Sequence, residues 1–365
     1  MSGSKHIVVA GAGIVGASIA YHLAKRGARV TLVDAGEPGA TANSFGWINS
    51  TFSKRPKTYF DLSFQAMMEW RRFASECGEL LKVQFGGSVA WSATGPEGED
   101  LAANVRAHQS WGYPVHVIDR AELGILLPSV QPGEFVTGCF CEPEAAVDPM
   151  AAIQALLESS RRFGVELRRT CRVAGLDLYQ NRVSTIETGE GVIQADTFVL
   201  ACGVDSPEVA GHARIRIPLK KSPGVLVHTT PQPRLLDRVI LAPRVHCKQS
   251  FDGRIVAGGQ VVAGVGTAIT EADVRDADRI LREVKRILPD LNNAAIEHVT
   301  LGYRVMPEDE YPIVGFVEAC PNLYVAVMHS GVTLAPLIGR LAATEILDAV
   351  SIAALEPYRI ERFEK

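Results

Sequence analysis

The stretch His6-Ile7-Val8-Val9-Ala10-Gly11-Ala12-Gly13-Ile14-Val15-Gly16 decides the fold, together with a second apolar run that ends on Asp34. The order is strand, tight glycine turn, helix, second strand. Gly11 makes the turn, Gly13 lets a pyrophosphate come close to the backbone, and Gly16 lets helix and sheet pack closely. The spacing predicts a helix over residues 14–26 with Lys25 and Arg26 in its last turn and Gly27 as its stop, so that its positive N-terminal end faces the phosphates. Asp34 lies about 20 residues past the glycines, where it can accept hydrogen bonds from an adenosine ribose and repel a 2'-phosphate. A glycine-rich turn in an ordinary parallel sheet would not require an acid there. The unit is therefore expected to be a dinucleotide site.

Composition bounds the function without choosing it. A chain of 365 residues with 47% hydrophobic residues suggests two domains and more than one core. The balance of 37 basic and 41 acidic residues gives a net charge of −4 and no basic stripe, which argues against a nucleic-acid or anionic-membrane partner. The first strand begins within a few residues of Met1, leaving no room for a signal peptide, and no window holds 18 uninterrupted apolar residues, so a cytoplasmic protein is expected. Seven cysteines, Cys77, Cys139, Cys141, Cys171, Cys202, Cys247 and Cys320, lack metal-type spacing and read as mostly buried thiols. Cys139 and Cys141 share one face of a strand, where packing accounts for them better than a redox pair.

There is no repeat or linker, so the two domains are expected to interleave. Phe64, Met67, Met68 and Arg71 suggest a helix with one apolar face, and residues 86–141 read as strand-rich. Asp148-Pro149 opens a helix capped by Asp148, with Ile153, Leu156 and Leu157 on its buried side. Short strands follow near 165–169, 171–178 and 183–188, then a fully buried strand over 197–203. Residues 217–264 read as strands with turns, 272–288 as an amphipathic helix stopped by Pro289, and 323–327 as a last buried strand. His329-Ser330-Gly331 leads into a final helix carrying Leu334, Leu337, Ile338 and Leu341.

Nucleotide-type elements at both ends with strands between suit a flavoprotein better than a nicotinamide enzyme. No second glycine fingerprint follows a strand, and Gly258 to Gly266 has no helix after it. The chain resembles the D-amino-acid oxidase, glycine oxidase and sarcosine oxidase superfamily over nearly its whole length, on the glycine-oxidase-like branch. The residues carrying the resemblance are GAGIVG at 11–16 with Asp34, the stretch 39–49 (GATANSFGWIN), Ala201-Cys202-Gly203, Gly302-Tyr303-Arg304 through Asp309 and Pro312 to Gly315, and 329–336 (HSGVTLAP). The resemblance implies an α/β fold: a Rossmann-like FAD-binding domain interleaved with an α+β substrate domain holding a large, mostly antiparallel sheet. It assigns 1–85, 146–215 and 316–365 to the FAD-binding domain and 86–145 and 216–315 to the substrate domain.

The resemblance also implies site residues. Gly11, Gly13, Ile14, Val15, Gly16, Asp34 and Ala35 would hold the adenosine and pyrophosphate of FAD, with Val173 offering its backbone to adenine and Ala201, Cys202 and Gly203 closing the strand end. Thr41, Asn43 and Ser44, with Phe45, Gly46 and Trp47, would lie beside the pyrophosphate and ribityl chain; an ordinary polar loop is the alternative. His329, Ser330, Gly331, Val332 and Thr333 would set a helix N-terminus against the pyrimidine edge of the flavin, where backbone amides stabilise developing negative charge. Arg304, five residues before Asp309 and eight before Pro312, stands where those oxidases hold the substrate carboxylate, a task that suits the two-pronged guanidinium. Its alternative is an ion pair with Glu308 or Asp309. Val305 and Glu310 depart from the proline and glycine usual at those places.

His246, Lys248 and nearby Arg244 alternate on a predicted strand and would project from one face, His246 standing where relatives carry an aromatic residue that helps bind the carboxylate. A solvated polar edge is the plain alternative. No lysine occurs in 254–258, where sarcosine oxidases carry one for oxygen activation, and no cysteine in 300–303, so FAD is expected to bind non-covalently. No metal is implied. The expected reaction is oxidation of a C–N bond in a small amino acid or secondary amine by hydride transfer to flavin N5, giving an imine that hydrolyses. The electron acceptor would be oxygen or another acceptor. Rival readings are a 2-hydroxy-acid dehydrogenase with a histidine base, the catalytic subunit of a multi-subunit amine dehydrogenase, and a flavin-binding protein without catalysis.

Overall fold

The computed structural model describes residues 4–51, 54–220, 222–259, 277–291 and 293–364. The opening strand His6–Ala10 is apolar and β-branched and is covered on both faces, as a central parallel strand must be. It lies between Arg29–Val33 and Thr197–Leu200, with Ile7 opposite both Val30 and Thr197. Glu166–Arg168 extends one side in parallel. Cys320–Val327 extends the other side in parallel, and Ile313–Val317 pairs with it as an antiparallel edge. The strand Ile313–Val317 therefore spans the expected domain boundary at 315/316.

The second sheet has eight strands. In spatial order they are Ile296–Tyr303, Pro223–Thr229, Ile255–Gly259, Val245–Gln249, Val239–Leu241, Ser88–Ser92, Thr137–Cys141 and Val115–Ile118. All neighbours run antiparallel except Val239–Leu241 beside Ser88–Ser92. The fold is thus α/β with one largely parallel and one largely antiparallel sheet, as expected. A three-stranded sheet joins Trp47–Ile48, Ala145–Val147 and Val83–Gln84 and lies between the chain segments of the two large sheets.

The first helix runs Ile14–Lys25 and closes on Arg26 and Gly27 (φ 86°), in the left-handed region that favours glycine. The terminal helix, Gly331–Asp348, packs along it. A Cβ on Gly339 would fall 2.2 Å from Ser18 Oγ, so glycine is what permits the approach, and Ser18 Oγ donates to Ala335 O at 2.7 Å. Asp148 caps the helix Pro149–Arg162, accepting from the N–H groups of Met150 and Ala151 at 3.0 Å.

Residues 86–141 are not strand throughout. Two helices, Gly95–Ser110 and Arg120–Leu126, interrupt them, each opened by a capping box: Thr94 with Glu97, and Asp119 with Glu122. Both boxes are legible as S/T/D-x-x-E in the sequence and mark the helix starts. The helix containing Phe64 and Met67 spans Lys57–Cys77, but Met68 is exposed, and the buried stripe is Phe60, Ser63, Met67 and Trp70. The helix expected over 272–288 is observed as Ala277–Ile287; its expected start and residues 260–264 lie outside the described residues. All seven cysteines are free thiols, five of them buried, Cys139 and Cys141 among these.

Pro336 inside the terminal helix has no N–H for Val332 O, four residues earlier. Trp70 Nε1 supplies the missing donor at 3.0 Å, and reaches Thr333 O at 3.1 Å. Trp70→Phe removes that donor and part of the buried indole, so the expected cost in chemical denaturation is about 1–3 kcal/mol for the lost donor plus a further cavity cost that is the same in either background. In a Pro336→Ala background, where the helix satisfies Val332 by itself, the same change should cost clearly less; equal costs in both backgrounds would refute the account.

Candidate active site

The glycine turn sits at the C-terminal edge of the parallel sheet. Gly11 has φ 97°, and a Cβ there would meet Ala201 O at 2.4 Å. A Cβ on Gly16 would fall 1.9 Å from Gly11 O. These two glycines are demanded by the protein's own packing. Gly13 is different: its φ is −62° and a Cβ would lie 3.5 Å from Thr41 Oγ1, an ordinary contact. Gly13 begins the first helix without a side-chain cap, and no acidic residue stands in the first turn, which leaves a helix N-terminus suited to an anion. Thr41 Oγ1 accepts from Ile14 N at 3.3 Å.

Asp34 accepts from Ala12 N at 2.7 Å and from Gly36 N at 2.8 Å, tying the glycine turn to the segment that holds Ala35. Asp34 O accepts from Cys171 N at 2.8 Å, and the strand Val173–Tyr179 begins two residues later. Ala201 N donates to Ala10 O at 2.8 Å, so Ala201, Cys202 and Gly203 continue past the same sheet edge. Burial, then the charges of Asp205 and Asp34, push the Cys202 thiol up to about 12, and it stays a thiol.

The other predicted cluster forms around residues 41–47. Ser44 N donates to Thr41 O at 3.1 Å, Gly46 N to Ser44 Oγ at 3.1 Å, and Asn43 Nδ2 to Gly39 O at 3.2 Å. The loop presses on the second sheet at Gly302, where a Cβ would fall 2.6 Å from Asn43 Cβ. Phe45 meets the His246 ring edge-on at 4.8 Å. Lys248 Nζ lies 5.5 Å from the centre of the Phe45 ring and donates to Val147 O at 2.7 Å. Its amine is spent on propping the loop. Arg244 precedes the strand and is exposed, so of the three alternating residues only His246 and Lys248 are buried together. Behind the loop, Thr333 Oγ1 donates to Trp47 O and accepts from Asn49 N, both at 3.3 Å. Gly331 abuts the first helix: its Cβ would stand 3.2 Å from Val15 Cγ2. The terminal helix also lacks a side-chain cap at Ser330 and an acid in its first turn.

Arg304 is half-buried, its guanidinium over Gly224, where a Cβ would fall 3.4 Å from Nε. The proposed structural partners are engaged elsewhere: Glu308 pairs with Arg216 at 2.9 Å and Asp309 with Arg362 at 2.7 Å. Among the described residues no carboxylate pairs with Arg304. Glu310, where relatives carry glycine, holds φ 71°, the left-handed backbone a glycine adopts freely. Burial and then Arg304 hold His246 down to about 4, and its Nδ1 is buried without a partner. His329 is held down to about 3 by its surroundings, then by Lys54 and Arg304, although its surface is accessible. Both imidazoles are neutral near pH 7.

Two groups here carried no signal in the sequence. Lys54, inside the ordinary basic run Ser53-Lys54-Arg55, is only 4% exposed; its ammonium donates to Ser330 Oγ and, at 3.3 Å, to Tyr59 OH, which donates to Ser330 Oγ at 3.0 Å. Glu144 is fully buried and accepts from Trp47 Nε1 (3.0 Å), Ser88 Oγ (2.5 Å), Thr51 Oγ1 (2.5 Å) and the N–H groups of Ser50 and Thr51. Burial pushes its carboxyl up against those hydrogen bonds. It anchors the segment that delivers Lys54. No group of three potential metal ligands occurs among the described residues.

A glycine cradle with an acid at the next strand end, a second bare helix N-terminus beside it, and a half-buried arginine that no carboxylate pairs with among the described residues suit a dinucleotide-dependent oxidoreductase. The chain belongs to the FAD dependent oxidoreductase family DAO, which it matches over residues 6–345. It is an FAD enzyme. It is similar to the bifunctional protein ThiO/ThiG of Trichormus variabilis, 26% identical over 99% of this chain, but the chain spans only 56% of that protein's length. It is 24% identical to the glycine oxidase of Pseudomonas putida, covering 98% of this chain and 99% of that one. Among solved structures, L-proline dehydrogenase from P. horikoshii superposes with a TM-score of 0.87 at 24% identity, over 99% of this chain and 98% of the other. Glycine oxidase from Geobacillus kaustophilus superposes at 0.86 with 21% identity, over 98% and 99%.

The residues present fit FAD, because Gly13 is spared a side chain for no reason of the protein's own. Gly13→Ala should leave the thermal midpoint nearly unchanged, a cap change of under about 1 kcal/mol. It should weaken FAD about tenfold or more, since the methyl takes the place the pyrophosphate needs. Fluorescence titration of apoprotein with FAD checks this; unchanged affinity would remove Gly13 from the phosphate site.

Proposed function

We propose that the enzyme oxidises the C–N bond of a small amino acid or carboxylate-bearing secondary amine. The observation that carries the reading is Arg304, a half-buried guanidinium whose neighbouring acids, Glu308 and Asp309, are paired with other arginines. A half-buried planar fork left free suits a carboxylate held by two parallel hydrogen bonds. FAD, when bound, supplies the two-electron chemistry, taking a hydride from the α carbon.

The chain's own residues supply position. Gly11 to Gly16, Asp34, Thr41, Val173 and Ala201 to Gly203 would hold the adenosine and pyrophosphate end. Asn43 to Trp47 would cover the ribityl side, and the amides of Gly331 to Thr333 would face the pyrimidine edge and stabilise charge developing there. His246, neutral and with Nδ1 unpartnered, offers a hydrogen bond at the carboxylate without adding repulsion to Arg304. The charge of Arg304 also reaches His329. Amine oxidation needs no protein base if the amine binds unprotonated. A 2-hydroxy acid would need a strong one, and imidazoles held down near 4 and 3 are weak bases for an alcohol proton. The product imine would hydrolyse in water. Electrons would pass to oxygen or another acceptor, and the protein is read as cytoplasmic; among the described residues no helix is long and apolar enough to cross a membrane.

The test is anaerobic mixing of the purified yellow holoenzyme with glycine, sarcosine, proline, D-amino acids and 2-hydroxy acids. Bleaching by an amine supports the reading, and bleaching only by hydroxy acids overturns it. Arg304→Ala should retain FAD and raise KM about a hundredfold, the worth of a charge-assisted pair near 3 kcal/mol. Catalysis equal to the wild type would end the role assigned to Arg304.

A further inference from the structure

Resting on that reading, we propose that Lys54, beside Ser330 and Tyr59, is a second anion-binding point and that the substrate carries two acidic groups, one held at Arg304 and one at Lys54. The argument is a balance of charge in a buried place. Lys54 is only 4% exposed, yet its hydrogen-bond partners are the hydroxyls of Ser330 and Tyr59. A buried ammonium without a carboxylate is costly and is normally paired. Among the described residues none forms an ion pair with it.

Among the described residues the nearby acids are committed. Glu144, whose charge favours the Lys54 cation, is consumed by the donors of Trp47, Ser50, Thr51 and Ser88. Glu310, the other carboxylate felt by Tyr59, is exposed and pairs with Lys220 at 2.7 Å. Of the remaining neighbours, the Tyr59 ring, its centre 4.7 Å from the ammonium, gives a cation–π contact but no full negative charge. Ser330 opens the bare positive end of the terminal helix, which has no acid in its first turn. His329 is neutral, and the charges of both cations reach it, that of Lys54 more strongly than that of Arg304. Burial alone takes the Lys54 ammonium down to about 7, so an anion arriving there is also what would hold the proton on it. One carboxylate satisfies Arg304 and leaves Lys54 bare. A diacid satisfies both.

The test is binding to the oxidised holoenzyme, read from the shift of its visible flavin spectrum. Succinate, glutarate and adipate are each compared with their monomethyl esters, which keep length and lose one charge. At least one diacid is expected to bind tenfold or more tightly than its ester. In Lys54→Met that preference disappears, in Lys54→Arg it survives, and Arg304→Ala weakens diacid and ester alike. Equal affinity of all three pairs in the wild type overturns the proposal, as does a preference that persists in Lys54→Met. If Lys54→Met does not load FAD, Lys54→Gln, which still donates to Ser330 and Tyr59, decides in its place. Failure of the amine reading looks different: no amine bleaches the flavin, an outcome these titrations do not depend on.

Discussion

The close packing of the first helix against the terminal helix is the constraint on which the rest depends. Ser18 and Gly339 meet where no larger residue than glycine fits, and Ser18 bonds Ala335. That contact joins residues more than 300 positions apart and brings two helix N-termini together, Gly13 near Thr41 and Gly331 against Val15. Each N-terminus presents unsatisfied N–H groups and partial positive charge, and neither carries a cap or an acid to quench it. A single extended, electron-rich ligand lying across both is the arrangement that satisfies them.

The active-site end adds cations on a chain whose net charge is −4. Arg304 enters from the antiparallel sheet and Lys54 from the segment anchored by Glu144. Two histidines stand among them in the neutral form, His246 held there by burial and Arg304, and His329 opposed in its protonation by the charges of Lys54 and Arg304. The loop 41–47 links the two halves: Phe45 rests on His246, Asn43 on Gly302, and Trp47 is gripped by Thr333. A shift of the terminal helix would therefore reach the substrate side through Thr333 and the loop.

The dinucleotide half was legible because its requirements are local. Gly11, Gly16 and Asp34 act within one strand-turn-helix-strand unit, so their spacing alone reports their geometry. The cap at Asp148 and the boxes at Thr94 and Asp119 are local in the same sense, and the latter two mark helices that the apolar pattern of 86–141 conceals. Lys248 shows the limit of alternation. Period two puts it on one face of the strand with His246, but every residue of Val245–Gln249 is buried, so alternation does not report the burial, and only the fold shows its amine turned to Val147 O.

By itself the sequence determined the strand-turn-helix-strand order of the first unit, its glycine turn, and the arginine, aspartate and proline spacing around Arg304, since each depends on neighbours in the chain. Only the tertiary structure decided which charges stay unpaired. Whether Arg304 is free depends on Arg216 and Arg362 claiming Glu308 and Asp309. Whether Lys54 is a surface lysine or a buried cation depends on Tyr59 and on Ser330, 276 residues away. Pairing and burial are properties of groups brought together from distant parts of the chain, and no local pattern records them.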